Sequence, residues 1–592
     1  MTTLLPTAPG RRHPAGDRPQ PEDAPPTSPL ARLWAARLWA HAAALAVVLL
    51  ALIPVLGGTG ASFSADEGAA LVQARHLARG QGWVVDHPLP QVDPGQKAYP
   101  LELSSRGDKG TAPFVKHPLY ALLLAGADRI GGTTAMVLLS LAGTVTAAAL
   151  AAALAIRLRP TLARPSLWVV GLATPLLFDG YLVIAHTLGA AFAAGAALLA
   201  LRAAEGRGPR WLAAAGAAGC LAVAVLLRNE AVFWALGLGV VTAALAISRR
   251  SRVLAVLAFG AVAVAVAAHV GEQAWIGGIL GGHVVALGGG VETGLGLAKI
   301  HAFVLTWLRP GYGDAPRAEL ALSVMSGVLV VGALAVRRHP GDRRAISLLG
   351  GVAAVSALVA LLVAPANLVP GLLVACPVLA AGLCLLRRST IETLAARFAL
   401  GTCAAFAVMV AATQYSTGGS GEWGGRYFAL GLPLVIPVVL LALADAGARL
   451  DRPTRQVAAG ALAVCAAATA VMGVTSLGET HRFTARLMAT ADRAGRTVSP
   501  GGRPVMLATT GAIPRLAWAT FDRQRWLLSE PDDLGGLRGR LVDAGVTEVV
   551  LVSNDLQRDL DRMGPGVRVV STDAPGNRHG WQVAVVEVEV QP

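Results

Sequence analysis

Long apolar segments recur from residue 38 to residue 474 and constrain the fold more than any other feature of the chain. About thirteen of them are long enough to cross a bilayer, which requires roughly 20 helical residues each. They centre on 38–56, 133–156, 166–182, 184–201, 211–227, 230–247, 253–270, 319–336, 345–363, 368–386, 398–414, 427–447 and 456–474. This pattern predicts a polytopic α-helical membrane protein.

The charged residues predict how these segments are oriented. Only 15% of the chain is charged, whereas soluble domains carry about 25%, and its formal net charge is +14. The arginines cluster in alternate connections between the apolar segments, which is the positive-inside pattern of membrane topology and not that of a nucleic-acid partner. The clusters are Arg157/Arg159/Arg164, Arg202/Arg207/Arg210, Arg249/Arg250/Arg252, Arg337/Arg338/Arg343/Arg344, Arg387/Arg388/Arg397 and Arg449/Arg452/Arg455. We therefore predict a cytoplasmic N-terminus, an odd number of spans and an extracytoplasmic C-terminus.

The composition along the chain predicts three regions. Residues 1–33 are Pro-rich and basic without periodicity, which predicts a disordered cytoplasmic tail. Residues 34–474 form the transmembrane domain, with two large outer loops at 57–117 and 271–318. The second loop is Gly-rich, which predicts a mobile or re-entrant segment. We predict that residues 475–592 form a small soluble extracytoplasmic domain.

This C-terminal region has a different pattern from the spans. Short β-rich runs (PVMLATT, TEVVLVS, VRVVST and WQVAVVEVEV) alternate with the helical run DDLGGLRGRLVDAG, which predicts an α/β domain. It contains neither a GxGxxG after a strand nor a P-loop, so no nucleotide site is predicted. A structural or acceptor-presenting cap is the favoured interpretation.

Two adjacent carboxylates, Asp66 and Glu67, lie in the first outer loop about ten residues past the first apolar segment. One interpretation is local: Asp66 caps the helix that follows and Glu67 is favoured in its first turn. The other is catalytic, since both carboxylates would lie against the outer membrane surface. The two interpretations are compatible, because a cap also fixes the position of a carboxylate.

The same loop contains residues that could bind a metal. His76, Asp86, His87 and Asp93 offer imidazole and carboxylate groups for a divalent cation, but they lack tight ligand spacing. A divalent metal cation is therefore a possible cofactor, and no cofactor is predicted firmly.

Basic residues mark three places at the predicted outer face. Lys116 and His117 end the first loop, where they either anchor the chain at the interface or hold a lipid phosphate. Arg228 follows the fifth segment and either forms an ion pair with Glu230 or faces an anionic headgroup. Arg426 is surrounded by glycines that allow close backbone approach, and it is a candidate phosphate ligand.

Four further residues are additional candidates, and one of them is Glu230, the possible ion-pair partner of Arg228. Asp179 and His186 flank the outer ends of the third and fourth segments, and polar groups so close to a membrane interior are expensive. Tyr427 follows Arg426 and is either a site residue or part of an aromatic belt.

Four motifs, taken in order and with shared sidedness, resemble the GT-C superfamily of membrane glycosyltransferases. They are SADEGAALVQARHLARGQGW, KHPLYALLLAGADRIGG, LLRNEA and GEWGGRYFALGLP. The pattern is similar to the protein mannosyltransferase and aminoarabinose transferase type and to bacterial relatives of that type. The resemblance covers most of the chain and implies a bacterial cell-membrane location.

The resemblance also implies roles for individual residues. In that family an acidic residue of the first outer loop is the catalytic base, which matches Asp66 with Glu67 beside it. Basic residues near the outer face hold the phosphate of a polyprenyl-phosphate sugar donor, and the matching positions are Lys116, His117, Arg228 and Arg426. The implied reaction inverts the anomeric centre and glycosylates a glycan, lipid or protein acceptor. The family often has an Asp after an aromatic residue before the fourth span, whereas this chain has His186 there and Asp179 seven residues earlier.

Two other function classes stay open. A transporter or flippase of lipid-linked sugars would carry internal repeats and charged or broken helices at the membrane midplane. A non-catalytic partner in envelope assembly would use the C-terminal domain for interaction. The polar residues singled out above lie at the ends of segments, which favours the glycosyltransferase.

Overall fold

The structure is a computed structural model that describes residues 29–101, 104–206, 209–282, 284–286, 296–311, 315–365, 368–413, 422–575 and 580–589, with side chains from residue 37 onward. The tail predicted at 1–33 lies outside this range up to residue 28. In chain order the helices are α1 (Pro29–Val55), α2 (Ala65–Ala78), α3 (Pro118–Leu158), α4 (Ala163–Leu172), α5 (Pro175–Asp179), α6 (His186–Glu205), α7 (Arg210–Leu227), α8 (Ala231–Arg249), α9 (Arg252–Leu280), α10 (Leu297–Phe303), α11 (Pro316–Arg338), α12 (Arg343–Val363), α13 (Leu372–Ala375), α14 (Pro377–Leu385), α15 (Leu394–Thr413), α16 (Leu432–Gly447), α17 (Arg452–Val498), α18 (Ala512–Leu516), α19 (Leu534–Asp543) and α20 (Leu556–Met563).

Eleven helices within the described residues are long and apolar enough to cross a membrane. They are α1, α3, α6, α7, α8, α9, α11, α12, α15, α16 with the 3₁₀ turn before it, and α17. The predicted class, a polytopic α-helical membrane protein with a C-terminal α/β domain, is confirmed.

The predicted count of about thirteen spans is higher than the eleven continuous helices. The difference lies in two predicted spans, 166–182 and 368–386, each of which is built from two short helices. Pro175 begins α5 and Pro377 begins α14. Proline lacks a backbone N–H and clashes with the preceding turn, so it interrupts a helix that the apolar run alone predicts to be continuous. Thr174 caps the new start of α5 by accepting a hydrogen bond from the backbone N–H of Leu176.

Arginines from the predicted cytoplasmic connections meet at one end of the helix bundle. Arg157 lies 3.5 Å from Glu205, and Arg159 forms an ion pair with Asp445. These contacts join the C-terminal ends of α3, α6 and α16. The alternation of the clusters is therefore consistent with the bundle, whereas the membrane face on which this end lies stays a prediction.

The C-terminal domain is a five-stranded mixed sheet in the order β5-β4-β6-β8-β7. Two short strands of the first loop, β1 (Ser105–Gly107) and β2 (Gly110–Ala112), and β3 (Val285–Ala286) form a separate small sheet. The C-terminal strands are β4 (Val505–Ala508), β5 (Arg525–Leu528), β6 (Glu548–Ser553), β7 (Val567–Asp573) and β8 (Gln582–Val588). Strand β4 pairs in parallel with β5 and β6, and the other pairs are antiparallel. Four of the five strands and α19 match the predicted runs, while β5 was not predicted.

Two helices extend beyond their predicted ends and reach the region of the site. Helix α17 continues 24 residues past the predicted boundary at 474, as its last residue is Val498, so one helix links the membrane domain to the sheet. Helix α9 ends at Leu280, so the first part of the loop predicted at 271–318 is helical. Residues 287–295 of that loop lie outside the described residues.

Candidate active site

A reciprocal capping box begins α2 and positions both carboxylates of the first loop. The Ser64 hydroxyl accepts from the backbone N–H of Glu67, whose carboxylate accepts from the backbone N–H of Ser64 at 2.8 Å. This arrangement satisfies two backbone donors at a helix start. The cap is therefore Ser64 and not Asp66, which lies in the first turn.

Glu67 is buried, and both of its oxygens accept hydrogen bonds from backbone N–H groups. One oxygen accepts from Phe63 and Ser64, and the other accepts from Val183 at 2.9 Å, which ties α2 to the segment between α5 and α6. Burial raises the pKa of Glu67 to about 7, although its three backbone donors act in the opposite direction. These bonds make Glu67 an anchor of α2, in contrast to its prediction as a catalytic group.

Asp66 lies among three cationic side chains and remains 19% exposed. Its Oδ2 accepts from Nη1 of Arg426 at 3.0 Å and lies 3.8 Å from Nζ of Lys116. Its Oδ1 lies 3.5 Å from Nη1 of Arg515. Burial by itself raises the pKa of Asp66, but the charges of Lys116, Arg426 and Arg515 outweigh it and hold the pKa well below its usual range. Asp66 is therefore ionised at neutral pH.

Arg515 comes from the C-terminal domain and was not predicted. It lies in α18, which packs on α2, and its side chain is buried. A Cβ atom at Gly68 would lie 2.0 Å from the backbone oxygen of Arg515, so only glycine permits this approach. Arg75 also stacks over Trp518, with its guanidinium carbon 4.3 Å from the ring centroid. Gly68, which follows Asp66-Glu67, was the sequence signal that another element approaches this helix closely.

Asp179, His186 and Glu422 form a second, buried cluster. Nδ1 of His186 lies 3.7 Å from Oδ2 of Asp179 and 3.5 Å from Oε2 of Glu422. The three residues come from the end of α5, the start of α6 and the loop before α16. Asp179 and His186 were predicted as additional candidates, and the structure brings them together. Glu422 was not predicted, although it lies in the GEWGGRYFALGLP motif.

Arg426 connects the two clusters. Its Nη1 donates to Oδ2 of Asp66 at 3.0 Å and to Oε1 of Glu422 at 2.8 Å. Its guanidinium carbon also lies 5.3 Å from the ring centroid of Tyr427. The sequence predicted Arg426 as a cation at the outer face, and the structure places its side chain beside Asp66.

The glycines before Arg426 allow its loop to lie close to neighbouring elements. Gly424 and Gly425 have positive φ angles of 70° and 64°. A Cβ at Gly424 would lie 2.2 Å from the ring of Pro175, and one at Gly425 would lie 2.5 Å from the side chain of Thr306. Trp423 stacks with Phe178, which precedes Asp179, with ring centroids 6.0 Å apart. These contacts bring Glu422 to α5.

The other predicted basic residues, Arg228 and His117, each lie beside a carboxyl group. Arg228 forms a two-point ion pair with Glu230, with Nη2 to Oε1 at 2.6 Å and Nε to Oε2 at 3.1 Å. His117 lies 3.2 Å from Glu272 of α9, and both are buried. Burial and the neighbouring cations lower the pKa of His117 well below its usual value, so its imidazole is neutral. Lys116, by contrast, is 47% exposed beside Asp66.

The candidate metal residues of the first loop do not converge. His87 pairs with Asp93 at 3.0 Å, and Asp93 also accepts from the backbone of Lys97 and Ala98. His76 contacts the backbone oxygen of Val84. Among the described residues, the group whose ligand atoms all lie within 4.8 Å of one another is Asp179, His186 and Glu422.

An apolar cavity of about 1030 Å³ lies between α1, α4, α16 and α17. It is lined by Leu172, Leu177 and Val474, which also line a smaller cavity that reaches Phe178 and Trp423. The smaller cavity has a volume of only about 10 Å³, so the two cavities share a wall, and the aromatic residues of that wall adjoin Asp179 and Glu422 in sequence.

Comparison with known proteins gives a coarse structural likeness. No protein-family model and no curated protein sequence matches the chain. The structure is similar to "Crystal Structure of ArnT from Cupriavidus metallidurans in the apo state", with a TM-score of 0.44 and 16% identity, covering 94% of this chain and 98% of that chain. A second ArnT structure, "bound to Undecaprenyl phosphate", has a TM-score of 0.43, with 16% identity and the same coverages.

Proposed function

We propose that this protein is a membrane glycosyltransferase that moves a sugar from a polyprenyl-phosphate donor to a glycan, lipid or protein acceptor. The observation that carries the proposal is the Asp66 cluster, a partly exposed carboxylate surrounded by Lys116, Arg426 and Arg515 at one end of a membrane helix bundle. The order of the four GT-C-like motifs is independent support. Such a site combines a proton acceptor with groups that attract an anion.

Lys116 and Arg426 are the proposed ligands of the donor phosphate. Cationic side chains form their strongest hydrogen bonds with phosphate and carboxylate oxygens, and an arginine can hold a phosphate at two points. Lys116 is half exposed, so its ammonium group is accessible to a ligand. Arg228 has a weaker claim because Glu230 already engages its guanidinium, and His117 has the weakest because its imidazole is neutral.

Asp66 is the proposed catalytic base. The acceptor hydroxyl oxygen forms a bond to the anomeric carbon while its proton passes to the Asp66 carboxylate. The bond between the anomeric carbon and the phosphate oxygen breaks, and the electron pair leaves with the polyprenyl phosphate. A general base typically contributes about 10²–10⁴-fold, and preorganised cations stabilise the charge that develops on the phosphate. A single displacement of this kind inverts the anomeric centre.

The cations that bind phosphate also control the basicity of Asp66. In the unliganded protein they keep its pKa low, which makes it a weak base. An anionic phosphate between Lys116 and Arg426 would offset their charge, and the pKa of Asp66 would rise. The base therefore becomes stronger when the donor is bound, which couples proton removal to occupancy of the donor site.

The remaining candidates have supporting roles in this proposal. Glu67 anchors the helix that carries Asp66, and Glu230 orients Arg228. Tyr427 packs against the guanidinium of Arg426 and fixes its direction. The apolar space between the helices is suited to a hydrocarbon chain, and membrane lipid would occupy it otherwise.

Mass spectrometry of envelope glycans and glycoproteins tests this function. Cells with and without the protein are compared, together with cells that carry the Asp66→Asn variant at equal expression. We expect one sugar to be missing both without the protein and with the variant. The purified protein should then transfer that sugar from its polyprenyl phosphate to the acceptor in detergent.

Two outcomes would favour the other function classes. If the lipid-linked sugar crosses vesicle membranes without transfer, the protein is a transporter or flippase. If Asp66→Asn restores the missing sugar fully, Asp66 is not the base, and a non-catalytic assembly role gains support.

A further inference from the structure

We propose that Asp179, His186 and Glu422 form a binding site for one divalent metal ion, an activity separate from the proposed sugar transfer. The site lies outside the first loop, where the sequence suggested metal ligands, and it uses a residue from each of three elements. It is argued from geometry, burial and charge.

The geometry is that of a small ligand set around one point. Nδ1 of His186 lies 3.5 Å from Glu422 and 3.7 Å from Asp179, and one ligand atom from each residue lies within 4.8 Å of the others. An ion about 2.0–2.2 Å from each ligand atom fits between atoms at these separations.

The burial of these residues makes their lack of partners costly. Asp179 is 0% exposed, His186 is 1% exposed and Glu422 is 4% exposed. Both oxygens of Asp179, both ring nitrogens of His186 and Oε2 of Glu422 have no hydrogen-bond partner among the described residues. A buried polar group without a partner costs about 1–3 kcal/mol, and more if it is charged. Nδ1 of His186, Oδ2 of Asp179 and Oε2 of Glu422 are three such atoms that lie close together, which indicates that something else satisfies them.

The charge balance points to a cation. The cluster contains two carboxylates, and the guanidinium of Arg426 engages only Oε1 of Glu422. The unpartnered Oε2 of the same carboxylate lies nearer to His186. A divalent ion would neutralise the remaining negative charge and use the imidazole nitrogen as a neutral ligand, since metal-bound histidine is deprotonated at the ligating nitrogen.

The ligand types narrow the choice of metal. One imidazole with two carboxylates suits Zn²⁺ or Mn²⁺, whereas Ca²⁺ and Mg²⁺ prefer oxygen ligands alone. None of the three residues is a thiolate, so a soft ion such as Cu(I) is not favoured. The bound ion would hold Glu422 in place, and Glu422 holds Arg426 beside Asp66.

A protonated carboxyl group is the competing explanation. A proton on Asp179 or Glu422 would reduce the charge and could donate to His186. The two separations of 3.5 and 3.7 Å are longer than an ordinary O–H···N hydrogen bond, so this arrangement would require the side chains to move closer.

Metal content of the purified protein tests the proposal directly and does not require enzymatic activity. The full chain in detergent is stripped with EDTA, dialysed against Zn²⁺ or Mn²⁺, and analysed by inductively coupled plasma mass spectrometry. We expect one ion per chain in the unaltered protein and a loss of that ion in Asp179→Asn, His186→Ala and Glu422→Gln. His481→Ala is the matched control, because His481 is also buried in the membrane domain but lies outside the cluster.

A Co²⁺ absorption spectrum provides a second measurement on the unaltered protein. Visible bands typical of mixed nitrogen and oxygen coordination, together with a higher thermal midpoint upon metal addition, are expected there and in His481→Ala. If the unaltered protein binds less than about one tenth of an ion per chain, the proposal is wrong and the shared proton is favoured. The proposal is also wrong if His186→Ala folds and still binds one full ion per chain. These outcomes leave the proposed sugar transfer untouched.

Discussion

The two carboxylate clusters at this end of the membrane domain have opposite kinds of partner. Asp66 is partly exposed, and both of its oxygens lie near cations from three separate parts of the chain. Asp179 is fully buried, and its oxygens have no hydrogen-bond partner among the described residues. The first cluster therefore has an excess of positive charge and suits an anionic ligand, while the second has an excess of negative charge and suits a cation.

The two carboxylate clusters also depend on each other. Arg426 contacts both clusters through one nitrogen, so the position of one cluster depends on the other. A mutation in one cluster should therefore disturb the other mainly through Arg426.

The largest expected effect on the rate of sugar transfer follows from the loss of the Asp66 carboxylate. Asp66→Asn preserves the shape of the side chain but removes the proton acceptor, so we expect transfer to fall by about 10²–10⁴-fold. The rate of sugar transfer by purified protein measures it. Asp522→Asn is the control, because Asp522 is a half-exposed carboxylate that pairs with Arg79, the residue that directly follows α2.

The pH dependence of transfer distinguishes Asp66 from its neighbour Glu67. At donor concentrations well below the Michaelis constant the rate reports the free enzyme, in which the pKa of Asp66 is low, so the rate should not fall between about pH 7 and pH 5. If Glu67 were the base, its pKa of about 7 would make the rate fall about tenfold per pH unit below neutrality. Such an acid limb in the unaltered protein would contradict the assignment of Asp66.

Removal of Arg426 is expected to have the next largest effect. Arg426→Ala takes away a proposed phosphate ligand and the connection between the clusters, so transfer should fall by about 100-fold. The Michaelis constant for the donor should rise as well. Arg426→Lys keeps the charge but not the planar geometry, and we expect an intermediate rate. If Arg426→Ala transfers sugar at the same rate as the unaltered protein, Arg426 is neither a phosphate ligand nor a functional connection between the two clusters.

Arg515 tests whether the C-terminal domain belongs to the site. Arg515→Ala removes one of the three cations beside Asp66, a guanidinium 3.5 Å from Oδ1 that helps to hold the carboxylate in position, so transfer should fall by about tenfold. Arg79→Ala is the matched control, since it removes the interdomain ion pair with Asp522 away from the site. If both variants lose the same activity, Arg515 contributes only to domain docking.

The last prediction concerns stability and not transfer, and the smallest effect on the rate is expected here: Glu67 makes the stability of the fold depend on pH. Its pKa rises from 4.5 to about 7 on folding, so the folded state binds more protons and loses stability as the pH rises between these values. The shift corresponds to roughly 3 kcal/mol at neutral pH. Glu67→Gln should lack this pH dependence of the thermal midpoint, while Glu479→Gln, at a half-exposed position, should retain it. If the thermal midpoints of Glu67→Gln and the unaltered protein change with pH in the same way, the prediction is wrong.

Local patterns in the sequence predicted some features of the site and missed others. Asp66, Lys116 and Arg426 were found because charged residues beside apolar spans are rare and therefore informative. The catalytic role of Glu67 stays a prediction, whereas its hydrogen bond from the backbone of Val183 was missed because Val183 lies more than a hundred residues away in the chain. His117 was expected to be a cation, but burial against Glu272 makes it neutral.

The sequence by itself determined that the chain is a helical membrane protein with a C-terminal α/β domain, because apolar length and strand periodicity are local properties. It also placed most candidate side chains at helix ends. The tertiary structure alone decided which charges meet: Arg515 reaches Asp66, and Glu422 reaches His186. Electrostatic interactions depend on distances of a few ångströms between residues far apart in the chain, and those distances exist only after the helices and the C-terminal domain have packed.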